Sequence, residues 1–230
     1  FLKSKLSYKI YLIYNLFIRH KAFLRRSSYS QWGEDLEIIK FFKKKIGVYL
    51  DIGCFHPLMY SNTCLLNRKG WTGVNIDLNQ TTIDLFNILR PNDINLCRII
   101  GSQAKKVKVY FDGLFSPVNT ADKKFYTEHK KKFFKNEFVR EVASQKLSDV
   151  LIQKKTPKRI NFINIDVEGM DYKVLEQINL QKYKVSLVAI ETHHVNGKKS
   201  KDYNKILNFF KKYNFSLMKR LGPTSLFFKK

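Results

Sequence analysis

Seven residues stand at the carboxyl ends of short apolar runs: Asp51, Gly53, Asp77, Asp166, Glu168, Glu191 and His193. Five of them are acidic in a chain with 43 Lys and Arg against 19 Asp and Glu, so the enrichment is selective. Strand ends are where open α/β sheets bind ligands. The first loop, within Val48-Tyr-Leu-Asp-Ile-Gly-Cys-Phe-His-Pro57, holds the lone Gly53 rather than a G-x-G-x-x-G. A pyrophosphate needs close backbone approach at several points, so a dinucleotide is disfavoured, and an adenosyl ligand without phosphates fits better. Asp77, closing the next run, sits where a carboxylate accepts both ribose hydroxyls. Asp51 reads either as a partner for the ligand's ammonium or as a turn residue. Ser61-Asn62-Thr63 reads as a helix cap, with backbone N–H groups offered to a carboxylate as the alternative.

At the other strand ends, Asp166, Glu191 and His193 are the candidate catalytic groups. A hydroxyl acceptor must lose a proton, and His193 is the natural base because its ordinary pKa is near neutral. Asp166 is the alternative base, or orients a hydroxyl or a metal. No metal motif is diagnostic, and none is expected. Cys54 reads as a small loop filler rather than a nucleophile, His56 as a shaper of the loop, and His194 as a surface residue.

These groups require a particular scaffold. Residues 46–52, 73–78, 94–100, 160–167 and 185–191 read as buried strands, with helices over 61–69, 81–89, 147–153, 170–178 and 202–212 between them. Residues 215–219 and 224–228 read as two closing strands at an antiparallel edge. The alternation predicts a twisted, mostly parallel, Rossmann-like sheet of about seven strands, with helices on both faces. A helix over 28–45 is expected, capped by Ser30, with Leu36, Ile39, Phe42 and Ile46 facing inward. Residues 107–111 read as one arm of a local hairpin with the residues just before them, and 142–145 as an edge strand. Residues 112–146 interrupt the rhythm with interleaved Lys and aromatic residues, as expected of a substrate lid.

Composition bounds the remainder. The length of 230 residues suits one α/β domain, over 29–230, and an appendage. Residues 1–28 form that appendage, a basic amphipathic helical extension. Leu2, Leu6, Ile10, Ile13, Phe17 and Leu24 recur at helical spacing among Lys3, Lys5, Lys9, Arg19, Lys21, Arg25 and Arg26. Such a helix either lies on an anionic membrane or docks on the domain or on a second subunit. The apolar run at 10–18 is too short to span a bilayer. The net charge of +24 points to an anionic partner, but Lys far outnumbers Arg, the better reader of phosphates and bases. Three cysteines without C-x-x-C spacing argue against a disulfide framework and a zinc site, and for a cytoplasmic setting, peripheral at the inner face if the helix binds membrane.

The chain resembles the FkbM-type family of S-adenosylmethionine-dependent methyltransferases. The matching stretches are Ser30-Gln-Trp-Gly-Glu-Asp35, Tyr49-Leu-Asp-Ile-Gly-Cys-Phe-His-Pro57 with Ser61-Asn-Thr63, and Gly70-Trp-Thr-Gly-Val-Asn-Ile-Asp77. Ile160-Asn-Phe-Ile-Asn-Ile-Asp-Val-Glu-Gly169, Val174-Leu175 and Ile190-Glu191 follow in the family's order. Cys54-Phe55 stands where small residues are more usual, and Leu78 where a Glu-Pro pairing is commoner. The resemblance implies a class I methyltransferase sheet of seven strands, S-adenosyl-L-methionine as cofactor, and O-methylation of a sugar, glycan or secondary metabolite. It carries over Asp51, Gly53 and Asp77 as cofactor residues. Gln31 and Glu34 belong to its motif, either closing over the cofactor or capping a helix. The cofactor set is therefore Asp51, Gly53, Cys54, His56, Asp77, Gln31, Glu34, Ser61 and Asn62. RNA methylation on ribose or base, and a non-catalytic membrane-associated domain, are the competing readings.

Overall fold

The structure is a computed structural model and describes residues 4–101, 103, 105–153 and 157–230. Leu2 and Lys3 of the N-terminal stripe lie outside the described residues.

A seven-stranded sheet forms the centre. Its strands are β1 (Val48–Ile52), β2 (Thr72–Asp77), β3 (Ile94–Cys97), β7 (Phe162–Ile165), β8 (Leu187–Glu191), β9 (Phe215–Leu221) and β10 (Thr224–Lys229), in the order β3-β2-β1-β7-β8-β10-β9. The β3, β2, β1, β7 and β8 neighbours pair in parallel, and β10 runs antiparallel to both β8 and β9. The order reverses between β1 and β7, and that switch point opens a crevice at the carboxyl ends of the strands.

Strand alternation divides the interior into two cores. Leu50, Ile52, Ile163, Ile165, Val188 and Ile190 face one side, where α6 (Leu147–Gln153), α7 (Asp171–Leu175) and α8 (Tyr203–Lys212) bury Val150, Leu175 and Phe210. Tyr49, Phe162, Leu187 and Ala189 face the other, against Ile38 and Phe42 of α2 (Glu34–Phe42) and Leu66 of α3 (Cys64–Arg68). Helices thus cover both faces, as the alternating pattern predicts.

Four local expectations change. Helix α2 begins at Glu34, not near Ser28, and Gly33 holds the N-cap position, although Ser30 Oγ accepts from the first-turn Asp35 N–H at 3.3 Å. The Asp35 carboxylate reaches back, accepting from Ser28 Oγ and Ser30 Oγ at 2.7 Å and from the Tyr29 N–H at 2.6 Å. Ile38 and Phe42 point inward with Ile39 partly packed beside them, while Leu36 and Ile46 are exposed. The run 94–100 breaks at Arg98, whose N–H donates to the Asp77 carbonyl. Beyond it, β4 (Ile99–Ile100) joins a separate three-stranded sheet, in which β6 (Glu137–Gln145) lies between β4 and β5 (Lys106–Asp112). There β5 pairs antiparallel with β6, not with the residues just before it. The Phe111 and Phe138 rings, stacked at 4.9 Å, help fix that long-range register. The α7 helix is also shorter than the run 170–178.

The insertion carries α5 (Lys123–Phe133), capped by the Asp122 carboxylate. α4 (Gln80–Leu89) follows β2 and receives the N-terminal arm. That arm is α1 (Lys5–Tyr14), continued by a π-helical turn over Asn15–Arg19 and a 3-10 turn over Lys21–Phe23. Leu12 and Leu16 pack against Leu85, with Leu89 and Phe115 beside them. The Tyr8 hydroxyl donates to Asp84 at 2.6 Å. The docking face is therefore not the stripe of Leu6, Ile10, Ile13 and Phe17, all of which are exposed.

Candidate active site

A cleft of about 740 Å³ lies at the switch point. Its floor is the ends of β1, β2, β7 and β8, contributing Asp51 to Phe55, Asp77, Asp166 to Glu168, Glu191 and His193. Gln31, Ser61 and Asn62 line it from the β1 side. Leu78, Ile99, Ile100 and Val118 form an apolar wall, and Phe125, His129 and Phe133 of α5 approach from above. The insertion is tied down at the mouth. Thr120 Oγ1 donates to the Glu168 carbonyl at 3.0 Å, and Lys201 Nζ to Asp122 at 2.8 Å.

The β1 loop is held by buried polar bonds. Asp51 Oδ2 accepts from Thr63 Oγ1 at 2.6 Å, and Oδ1 from Asn164 Nδ2 at 2.9 Å. Asn62 Nδ2 donates to Asn164 Oδ1 at 2.9 Å. Behind them lies Arg90, only 3% exposed. Its guanidinium donates to Thr63 Oγ1, Ser61 Oγ, the Tyr49 hydroxyl and the Pro57 carbonyl. Asp93 accepts from the Tyr49 hydroxyl, the Gly73 N–H and Asn75 Nδ2. One planar cation with several fixed donors suits this job, where a lysine's point charge would not.

Asp77 accepts from the Phe55 N–H at 3.2 Å and the Asn79 N–H at 2.7 Å. Burial raises its pKa to about 6, although those backbone donors oppose the shift. Opposite, burial and mutual repulsion lift Asp166 to about 8 and push Glu168 and Glu191 upward as well. This end of the cleft is thus a set of carboxyls short of positive charge, a site that gains stability from a cation. Glu168 sits at φ +47°, outside the comfortable range of a non-glycine residue. Asp171 steadies that turn by accepting from the Val167 and Gly169 N–H groups. His193 differs from the acids. Burial lowers its pKa, and the charges of Arg220 and Lys199 lower it further, so the imidazole is neutral at pH 7.

The family model described as the Methyltransferase FkbM domain matches residues 46–217, well over half of the chain. The chain belongs to the FkbM methyltransferase family. The match begins just before β1 and ends in β9, so it spans every strand end that lines the cleft. FkbM methyltransferases generally use S-adenosylmethionine. No curated protein matches the chain.

In this FkbM methyltransferase the cleft gathers most of the residues singled out in the sequence. Asp51, Gly53, Cys54, Asp77, Gln31, Ser61, Asn62, Asp166, Glu191 and His193 all line it. Two of the assigned cofactor residues are absent from the lining. His56 is fully buried behind the loop. Its Nδ1 accepts from the Leu58 and Met59 N–H groups at 3.0 Å, leaving Nε2–H to donate to Asn15 Oδ1 at 3.2 Å. Burial pushes its pKa down to about 3, so it is a neutral pin between loop and arm. Glu34 is likewise buried, accepting from the Trp32 N–H at 2.8 Å. Cys54 packs on Ile83 and Phe86, and burial raises its thiol pKa well above the ordinary value, which makes it unreactive. His194 is exposed, as expected of a surface residue, and also lines the cleft.

Sequence reasoning missed Arg90, Asp93, Tyr49 and Asn164. The one available signal was an arginine directly before Pro91 in a chain whose cations are mostly lysine. Among the described residues, no group of three or more His, Cys, Asp or Glu is arranged to hold a metal ion.

Proposed function

We propose that the protein is an S-adenosylmethionine-dependent O-methyltransferase whose acceptor is a hydroxyl of a sugar, glycan or secondary metabolite. The single observation that carries this reading is the pairing of two unlike walls in one cleft. The Asp77 carboxylate beside apolar Leu78, Ile99 and Ile100 suits an adenosine; the cluster of Asp166, Glu168, Glu191 and neutral His193 suits a cation and a polyhydroxylated acceptor. The residues present fit the cofactor. Asn119, which lines the same cleft, offers a buried Nδ2 with no partner among the described residues, a donor available to a ligand. S-adenosylmethionine, when bound, supplies an electrophilic methyl group on a sulfonium.

The chain's own residues do the rest. Asp77 would accept from the ribose hydroxyls. Asp51, with both oxygens engaged by Thr63 and Asn164, holds the loop and leaves further lone pairs for the ammonium end. Thr192 Oγ1 lies 2.8 Å from His193 Nδ1 and 2.6 Å from Ser225 Oγ. With Nδ1–H donating to Thr192, and Thr192 to Ser225, Nε2 keeps its lone pair and takes the proton of the acceptor hydroxyl. Asp166, raised to about 8, and Glu191, also raised by burial, hydrogen-bond the acceptor's other hydroxyls. The insertion shields the reacting atoms from water.

The exposed lysines of α5 favour a polyanionic acceptor such as RNA, but the acids at the cleft floor repel a phosphate chain. Mass spectrometry of glycans from cells with the active protein and with a His193→Ala variant tests the reading. Loss of an O-methyl sugar is expected with the variant. Unchanged glycans beside a changed RNA modification profile would overturn it.

A further inference from the structure

The N-terminal arm carries two apolar faces. One is consumed by the domain: Leu12 and Leu16 are buried on Leu85, and Tyr8 is bonded to Asp84. The other is Leu6, Ile10, Ile13, Tyr14, Phe17 and Ile18, exposed by 68, 59, 52, 46, 42 and 58%. Their spacing of three and four residues puts them on one continuous side of the helix. An amphipathic helix that merely docks needs no second stripe, and six large apolar side chains in water are a standing cost.

Charge identifies the occupant. Lys5, Lys9, Arg19, Lys21, Arg25 and Arg26 are exposed along the same arm, and the chain has no Asp or Glu before Glu34. An apolar stripe flanked only by cations matches the boundary between anionic headgroups and acyl chains. A nucleic acid would meet the same cations but leave the Leu and Ile side chains in water. No helix among the described residues is long and apolar enough to cross a membrane, so the contact is in the plane of the surface.

We propose that the exposed face of α1 and its π-helical continuation docks the protein on an anionic lipid bilayer surface. The arm is also in contact with the cleft's supporting loop. Asn15, at the start of the π-turn, bonds His56, and Phe115 touches the arm while stacking on Phe55 at 4.8 Å. The docked arm therefore abuts the loop that supports the cleft, whatever the methyl acceptor is.

Sedimentation with phosphatidylcholine vesicles containing about one-third phosphatidylglycerol, against phosphatidylcholine alone, tests the proposal. The protein is used whole, beside an Ile10→Asp/Ile13→Asp variant. Both positions face water, so the variant keeps its fold, which circular dichroism and the melting temperature check. Binding to the anionic vesicles alone is expected, weakened by salt and reduced at least about tenfold in the variant. Absence of binding at low salt, or binding that the variant leaves intact, would overturn the proposal. So would a stable dimer that the variant dissociates while vesicles stay unbound, since the face would then belong to a second copy.

Discussion

The α-carbon hydrogen side of Gly53 faces the Asp166 carbonyl so closely that a Cβ there would stand 1.6 Å from that oxygen. The first loop and the end of β7 therefore meet backbone to backbone, at φ +80° for Gly53. The glycine is demanded by the protein itself, before any ligand is considered. This contact brings the first loop and the acidic end of β7 into one cleft.

Gly53→Ala must push β7 away from β1 and also strain a left-handed residue. We expect a loss of at least about 3 kcal/mol in unfolding free energy by urea titration. A variant as stable as the parent would show that the two strand ends do not hold this spacing in solution.

Arg90 is the second structural dependency. Arg90→Met leaves Thr63, Ser61, Tyr49 and the Pro57 carbonyl without their shared donor, and Asp51 and Asp93 without a nearby cation, in a buried site, with an expected cost of about 3–5 kcal/mol. Arg90→Lys should recover little of it, because one ammonium does not reproduce four directed bonds. Thermal melts of both variants check this; full rescue by lysine would reduce the role to simple charge.

The carboxyls of the cleft set a pH dependence. Asp166 rises from 3.8 to about 8, and Asp77 and Asp171 from 3.8 to about 6. A carboxyl with a raised folded pKa binds its proton more tightly in the folded state than in the unfolded one. Its contribution is full below pH about 4 and is lost as pH rises through those folded values. The free protein should therefore lose relative stability between about pH 4 and 8. A bound sulfonium favours the ionised acids, so cofactor affinity should rise over the same window with release of protons. Calorimetry in buffers of different ionisation enthalpy reads that release; proton uptake would contradict the account.

His193→Ala should lower kcat by roughly two to four orders of magnitude while leaving cofactor affinity within about twofold. In the parent, activity should fall on the acid side through a pKa below the ordinary histidine value, because burial and nearby cations depress it. A kcat unchanged in the variant would move the base to Asp166 or Glu191.

The sheet was legible because each strand is a short apolar run bounded by Gly, Pro or an acid, and those bounds also marked the site. The strand-end acids followed directly from that punctuation. What stayed hidden depended on distance in space. Nothing in residues 107–111 says that their partner lies beyond a 24-residue excursion to 137–143. Arg90 stands at the end of α4, and its four partners lie 27 to 41 residues earlier, in β1 and the loop that follows it. His56 looked like a cofactor residue because it follows Gly53, but the chain turns it backwards onto the arm. The arm's two apolar faces overlapped in one dimension, and only the fold shows which one is occupied.

The central claim is that Asp77 and the acidic strand ends form an S-adenosylmethionine pocket. Its most direct test is isothermal titration of S-adenosylmethionine into the parent protein, Asp77→Ala and Asp166→Ala, each checked for folding. Saturable binding to the parent is expected, with a loss of about a hundredfold for Asp77→Ala through two charge-assisted bonds and a smaller loss for Asp166→Ala. No binding to the folded parent, or a larger loss from Asp166→Ala than from Asp77→Ala, would contradict it.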